Sequence, residues 1–230
     1  MADDDTVSML IATMRSKRGG PGTRSMAARA LGEEGDPRAI EPLLDEIQDT
    51  ADPFKTPVVT AVLEALPRFG DALEPPLLRL LDDPDDFRRR YVPRLLVSAR
   101  GAASAPTLVA LLADGDDEVV MNAATSLGSL RDPAYAAALR ALVDDPTRPS
   151  LVRGVAASAL GMIGDAAAYD ALAALLGAGE GNLVAGAIDG LAELADPRAI
   201  PLIQGLLAVG RLDQRAARGA TLALISLRNG

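Results

Sequence analysis

Five residues, Asp-Pro-Arg-Ala-Ile, occur twice in this chain, at 36–40 and again at 196–200. The two copies lie 160 residues apart, which is five times 32. An internal period of roughly 20–50 residues indicates a solenoid, because units of that size bury their apolar side chains only by stacking on one another. The sequence therefore predicts equivalent residues about every 32 positions.

Such equivalents, which we call anchors, recur at steps of 30–35 residues: Asp3, Asp36, Asp71, Gly101, Asp132, Asp165 and Asp196. Seven residues after the anchors stand Leu10, Leu43, Leu78, Leu108, Leu139, Leu172 and Ile203. Five residues before the anchors, from the second onward, stand Leu31, Leu66, Leu96, Leu127, Leu160 and Leu191. Neither column has an exception, so we predict that both belong to one repeated core.

Each unit reads as a helix A, a turn and a helix B. Leu139, Leu142 and Val143 show the helical spacing of apolar residues in a helix A. Asp followed by Pro, as at 36–37, predicts an N-cap and a first helical residue. We predict an all-α, single solenoid over 1–230, with seven hairpins at about 1–35, 36–70, 71–100, 101–131, 132–164, 165–195 and 196–230.

The residue types limit the chemistry that the chain can perform. Apolar residues make up 49% and aromatic residues 3%, while Cys and His are absent. This excludes disulfides, thiolate zinc sites, cysteine nucleophiles and imidazole catalysis. Phosphate-binding glycine motifs and the nucleophile elbow are also missing. We expect no catalytic residue, no metal site and no cofactor.

The net charge of −9 and a pI near 4.6 work against binding to nucleic acid or to anionic membranes. No segment reaches the roughly 20 apolar residues of a membrane span. The N-terminal residues are acidic where a signal peptide requires basic ones. We therefore expect a soluble, cytoplasmic protein.

Residues 152–165 resemble helix B, and residues 196–203 resemble helix A, of HEAT-like repeats of the type named after the phycobilisome (PBS) lyase subunits. The resemblance covers essentially the whole chain. It implies a right-handed α–α superhelix with the B helices lining the concave face.

The resemblance also implies an arginine early in helix B that pairs with an acid in a turn. That column reads Arg24, Val59, Arg89, Val120, Arg153 and Val184, and Arg215 fits the same register. Asp83 is one neighbouring turn acid that such an arginine could pair with.

Seven residues before the anchors lies a row that is expected to point into the concave groove. Its members are Arg29, Glu64, Arg94, Thr125, Ser158 and Asp189. The charge is mixed at the start, neutral in the middle and acidic at the end. A phosphate backbone requires a sustained basic track, so this row favours a protein or peptide partner.

The third unit departs from the pattern, since its helix B reads Phe-Arg-Arg-Arg-Tyr-Val-Pro-Arg over 87–94. Pro93 would lie inside the helix and is expected to kink or break it. On a helical wheel Arg90, Tyr91 and Arg94 face outward, and these residue types are favoured at binding hot spots. The three residues are our candidate partner-binding site. The alternative is that these arginines neutralise the adjacent acidic turns.

We interpret the chain as a non-catalytic scaffold or adaptor that holds a protein or peptide on its B-helix face. The resemblance offers a second function, that of an accessory subunit of a bilin lyase-like enzyme. A third interpretation is a nucleic-acid-binding HEAT-like protein. The sequence leaves the oligomeric state open.

Overall fold

In the computed structural model, residues 4–16, 18–47, 56–82, 87–210, 212 and 214–229 are described. Every regular element among them is helical, and the α-helices follow one another as hairpins, which confirms an all-α solenoid. The helices are α1 Asp4–Arg15, α2 Pro21–Glu34, α3 Ile40–Leu44, α4 Pro57–Ala65, α5 Glu74–Leu81, α6 Val92–Arg100, α7 Ala105–Leu111, α8 Asp117–Ser129, α9 Ala136–Asp144, α10 Ser150–Ile163, α11 Tyr169–Leu175, α12 Gly181–Glu193, α13 Ala199–Val209 and α14 Gln214–Asn229. Within the described ranges, none is long and apolar enough for a membrane span.

The chain divides into two compact units, Met1–Ser104 with α1–α6 and Ala105–Gly230 with α7–α14. In the second unit the B helices pack in the order α8, α10, α12 and α14, and each A helix packs on its own B helix. In the first unit α2 packs on both α1 and α4. One continuous solenoid over 1–230 stays a prediction.

An aspartate caps the start of four A helices, three of them at an Asp-Pro pair as predicted and the fourth at Asp165, which is followed by alanine. The side chains of Asp36, Asp132, Asp165 and Asp196 each accept a hydrogen bond from the backbone N–H two residues later, at 2.9–3.0 Å. The first three caps are each followed by one short 3-10 turn that leads into the α-helix. The anchor aspartates therefore recur because they satisfy donors that a helix start leaves free.

The leucine column of the B helices lies in the core of each unit. Its members are no more than 1% exposed: Leu31, Leu66, Leu96, Leu127, Leu160 and Leu191. The A-helix column is confirmed as fully buried at Leu43, Leu108, Leu139, Leu172 and Ile203. At Leu78 the predicted register is wrong, because this side chain is 38% exposed and Leu77 is fully buried instead. The turn before α5 runs from Gly70, at φ 52° and ψ −129°, to Glu74 and is one residue shorter than the turns from Gly35 to Ile40 and from Gly164 to Tyr169.

Pro93 breaks helix B of the third hairpin, as expected. Residues Phe87–Tyr91 form a 3-10 turn, and α6 begins only at Val92, so Pro93 falls in the first turn of α6. A proline in that position interrupts no helical hydrogen bond.

At the ends of two B helices, a residue other than glycine has a left-handed backbone conformation. Arg131 and Ala195 both have φ 53°, where the equivalent hairpins have Gly35 and Gly164. A Cβ is strained in that conformation, and glycine is not.

We therefore expect Ala195→Gly to raise the free energy of unfolding by about 0.5–1 kcal/mol, after allowing for the greater freedom of glycine in the unfolded chain. Urea denaturation followed by circular dichroism measures the change. The matched control is Gly164→Ala, which puts a Cβ into the same kind of turn and is expected to destabilise. An Ala195→Gly protein less stable than wild type would contradict the assigned conformation.

Candidate functional site

The exposed side of the B helices in the second unit forms a groove of about 330 Å³, which we call the B-helix groove. Thr125 of α8, Ser158 of α10 and Asp189 of α12, three members of the predicted row, line it. Asn182 of α12 also lines it, and the described lining residues of α14 are the small Ala216 and Gly219. The prediction that this row points into a groove is confirmed for the second unit.

Glycines set the depth of the B-helix groove by allowing α10 and α12 to pack closely. A Cβ on Gly186 would meet the backbone carbonyl of Gly154, and one on Gly154 would meet the carbonyl of Asn182. Gly161 and Gly190 make a second close approach between the same helices. Because no side chain fits between these backbones, the groove has a floor of main chain and methyl groups.

The polar side chains of the B-helix groove mostly present acceptors. Thr125 donates its hydroxyl proton to the carbonyl of Met121 at 2.9 Å, so its oxygen can only accept further bonds. Asn182 donates from Nδ2 to Ser150 Oγ at 3.3 Å, and its carbonyl oxygen can still accept. Asp189 adds a carboxylate, and none of the described residues that line the groove is Lys or Arg.

The same row in the first unit is balanced by ion pairs. Arg29 Nε lies 3.1 Å from Glu64 Oε2, and both side chains are about half exposed. Arg68 pairs with Glu33 at 3.6 Å nearby in the fold. In this part of the row, the predicted mixture of charges therefore consists of neighbouring Arg and Glu side chains that pair with each other.

The structure places the three predicted site residues at different depths. Arg94 is exposed, whereas Arg90 and Tyr91 are half buried, and Tyr91 packs against the core of the first unit. The helical wheel assumed an α-helix throughout, but Arg90 and Tyr91 lie in the 3-10 turn that precedes α6. The adjacent acids Asp83, Asp85 and Asp86 lie outside the described residues.

The early arginines of helix B brace the hairpins together. Arg153 donates from Nε to the carbonyl of Val143 at 2.8 Å and from Nη1 to Glu180 at 3.1 Å. Arg24 bonds in the same way to the carbonyl of Met14 at 2.6 Å and to Glu46. The implied pairing with turn acids is confirmed for these two. Asp83 lies outside the described residues, as does the Arg215 side chain.

The repeats match known family models. The model for HEAT repeats matches residues 74–157, and the model for the PBS lyase HEAT-like repeat matches residues 23–49 and 152–177. This chain is a HEAT-repeat protein of the PBS lyase HEAT-like type. The braces of Arg24 and Arg153 both fall within its PBS lyase-type segments.

Solved structures resemble this HEAT-repeat protein in fold. Kap121p is 15% identical with a TM-score of 0.61, over 99% of this chain and 32% of that one. Human deoxyhypusine hydroxylase is 23% identical with a TM-score of 0.44, over 84% and 74%. The CpcE–CpcF complex of phycocyanin lyase from Nostoc is 20% identical with a TM-score of 0.46, over 99% and 97%. No curated protein sequence matches.

The HEAT repeats of the second unit also form an open apolar cavity of about 510 Å³ on the side of α11 and α13. The described residues that line it are leucine, valine, alanine and glycine, among them Leu176, Leu202 and Val209. Leu202 and Val209 are 41% and 62% exposed. Neither this cavity nor the close approach of α10 and α12 was predicted from the sequence. Gly186 and Gly190 lie one helical turn apart, and this spacing was the sequence feature from which the close approach of α10 and α12 could have been predicted.

Several acidic side chains in these repeats accept hydrogen bonds from backbone N–H groups in the turns. Over the described ranges, no group of three or more Asp or Glu residues could hold a metal ion. Asp196 shows the usual arrangement: hydrogen bonds from the side chain and then the backbone of Arg198 lower the pKa of its carboxyl group. Arg198 also lies over the ring of Tyr169, 4.0 Å from its centroid.

Proposed function

We propose that this HEAT-repeat protein is a non-catalytic scaffold that holds a segment of a protein partner in the B-helix groove. The observation that carries the proposal is the groove itself. It joins polar side chains from three successive B helices, exposed at Thr125 and Asp189 and half buried at Ser158, to a floor of closely packed backbone. Such a surface offers contacts to a chain lying across the helices, and its described lining residues hold no converging set of catalytic groups.

The lining also bears on the second interpretation, an accessory subunit of a bilin lyase-like enzyme. The match to the PBS lyase HEAT-like repeat favours that role. Among the residues that the structure describes, none that lines the B-helix groove is aromatic. A tetrapyrrole is a large flat ligand that favours apolar walls and stacking rings. If the protein is a scaffold, we expect the purified protein to leave the absorbance spectrum of added bilin unchanged.

Site-specific photo-crosslinking tests the proposed groove. A photoreactive residue at Thr125, which is exposed in the groove, is expected to give one discrete adduct in an extract of the source cells. The same residue at Ala137, exposed on the A helix α9, is the control and is expected to give none. Ser158→Trp fills the groove and is expected to remove the adduct. Equal adducts from both positions, or an adduct that survives Ser158→Trp, would refute the groove as the site.

Arg90, Tyr91 and Arg94 remain a second proposed contact, in the first unit. Arg94 is the most exposed of the three and offers a planar donor to an acidic partner group. A photoreactive residue at Ser98, exposed one helical turn after Arg94 in α6, therefore tests this patch, and Arg94→Glu is expected to weaken its adduct at least tenfold. An unchanged adduct yield would leave these arginines with the role of balancing neighbouring acids.

A further inference from the structure

We propose that the apolar cavity between α11 and α13 binds a linear alkyl chain of about eight carbons. The cavity lies on the A-helix side of the second unit, so this site adds a ligand to the scaffold function and does not depend on it. The described lining residues are aliphatic or glycine, and two of them, Leu202 and Val209, are 41% and 62% exposed. Large apolar side chains left in water beside an apolar cavity mark a place where an apolar group can be buried.

The shape of the cavity favours a linear chain. The lining residues of α13 stand at positions i, i+3, i+4 and i+7 and so form one stripe along the helix: Leu202, Gly205, Leu206 and Val209. The lining residues of α11, within 173–177, repeat the first three of these positions. A stripe of seven residues rises about 10 Å, which an extended chain of roughly eight carbons spans. The volume of about 510 Å³ is in the range of small-molecule sites.

Glycine keeps the middle of the cavity open. Gly205 lies inside α13, where glycine weakens a helix relative to alanine. At Gly154 and Gly186 a close backbone contact accounts for the glycine, but nothing lies within 4 Å of the position that a Cβ on Gly205 would take. The same is true of Gly179, on the rim of the cavity. The missing side chains therefore leave room for a ligand rather than for a neighbouring helix.

The side chains of the described lining also suit a hydrocarbon. Leucine, valine and alanine side chains offer a water molecule no hydrogen bond, so water gains little from filling the space between them. An alkyl chain in the same space loses its contact with water and covers the exposed parts of Leu202 and Val209. Each methylene that enters the cavity therefore adds to the affinity.

NMR titration of the full chain with alkyl maltosides, from hexyl to dodecyl and below the concentrations at which they form micelles, tests the proposal. The head group is uncharged, so the titration reports on the alkyl chain. We expect the backbone amide resonances of Gly177, Gly179 and Gly205 to shift. The affinity is expected to rise about fourfold with each added methylene and to stop rising at about nine or ten carbons, where the chain leaves the cavity.

Gly205→Leu puts a side chain into the cavity and is expected to weaken the binding of octyl maltoside at least tenfold. Gln204→Leu is the matched control, because it adds the same side chain at the neighbouring exposed position of α13, outside the described lining, and is expected to change the affinity less than twofold. Val209→Glu is a second variant, at a residue exposed enough to leave the fold intact. Its carboxylate lies at the rim and is expected to weaken binding to the same extent.

Equal binding by wild type, Gly205→Leu and Val209→Glu would overturn the proposal, as would an affinity that does not depend on chain length or that still rises from decyl to dodecyl maltoside. Octanoate distinguishes two sources of the chain, because a free fatty acid carries a carboxylate and an acyl group in an ester or amide does not. Octanoate that binds more tightly than octyl maltoside would support the site and identify a free fatty acid as its ligand. Equal or weaker binding of octanoate would support the site and identify an ester- or amide-linked acyl group.

Discussion

Gly186→Ala is expected to destabilise the protein by about 3 kcal/mol or more, the upper range for overpacking a close contact. The new Cβ would lie against the backbone carbonyl of Gly154, and a carbonyl in a neighbouring helix cannot move aside as a flexible side chain can. In a helix without such a contact, Gly→Ala stabilises by about 1 kcal/mol. The sign of the effect therefore reports directly on the approach of α10 and α12.

Gly205→Ala is the matched control for that substitution. Gly205 also lies inside a helix, α13, but nothing lies within 4 Å of the position its Cβ would take. We expect this variant to be more stable than wild type by about 0.5–1 kcal/mol. Urea denaturation of both variants measures the contrast. If Gly186→Ala were also stabilising, the two helices would be farther apart than the structure places them.

The leucines of the B helices could be predicted from sequence because their burial depends on local periodicity. Leu31 and Leu191 lie five repeats apart and are both fully buried, since each faces inward at the same point of its own helix. Leu78 shows where that argument stops. Gly35 and Gly70 both have positive φ, but their ψ values of 17° and −129° send the chain into turns of different length. Glycine permits both conformations, so the residue type does not distinguish them.

The sequence predicts which residues share the face of the candidate site, but it does not predict the depth of the groove. That Thr125, Ser158 and Asp189 share a face follows from their spacing. The depth of the B-helix groove depends on glycines brought together across repeats, such as Gly154 and Gly186, which are 32 residues apart. A helical wheel treats one helix at a time and carries no information on that distance. It also cannot represent the 3-10 turn that holds Arg90 and Tyr91.

Leu127→Asp is expected to have the other large effect, a loss of about 4 kcal/mol or more in the free energy of unfolding. Leu127 is fully buried in α8, among the apolar side chains of the second unit. A carboxylate placed there would lose its hydration among buried apolar side chains. Urea denaturation at pH 7, followed by circular dichroism, measures the loss.

The pH dependence of that loss identifies its cause. Burial raises the pKa of a carboxyl group in the folded state, so the folded variant binds a proton at a higher pH than the unfolded chain. The destabilisation is therefore greatest well above the folded pKa and shrinks as the pH falls toward the unfolded value of about 4. Thr125→Asp places the same residue two positions earlier on the exposed side of α8 and is expected to change stability by less than about 1 kcal/mol. A Leu127→Asp protein as stable as Thr125→Asp would mean that the leucine column does not form the core. A large loss that did not change with pH would instead assign the effect to the cavity that the missing leucine leaves, because an empty volume does not titrate.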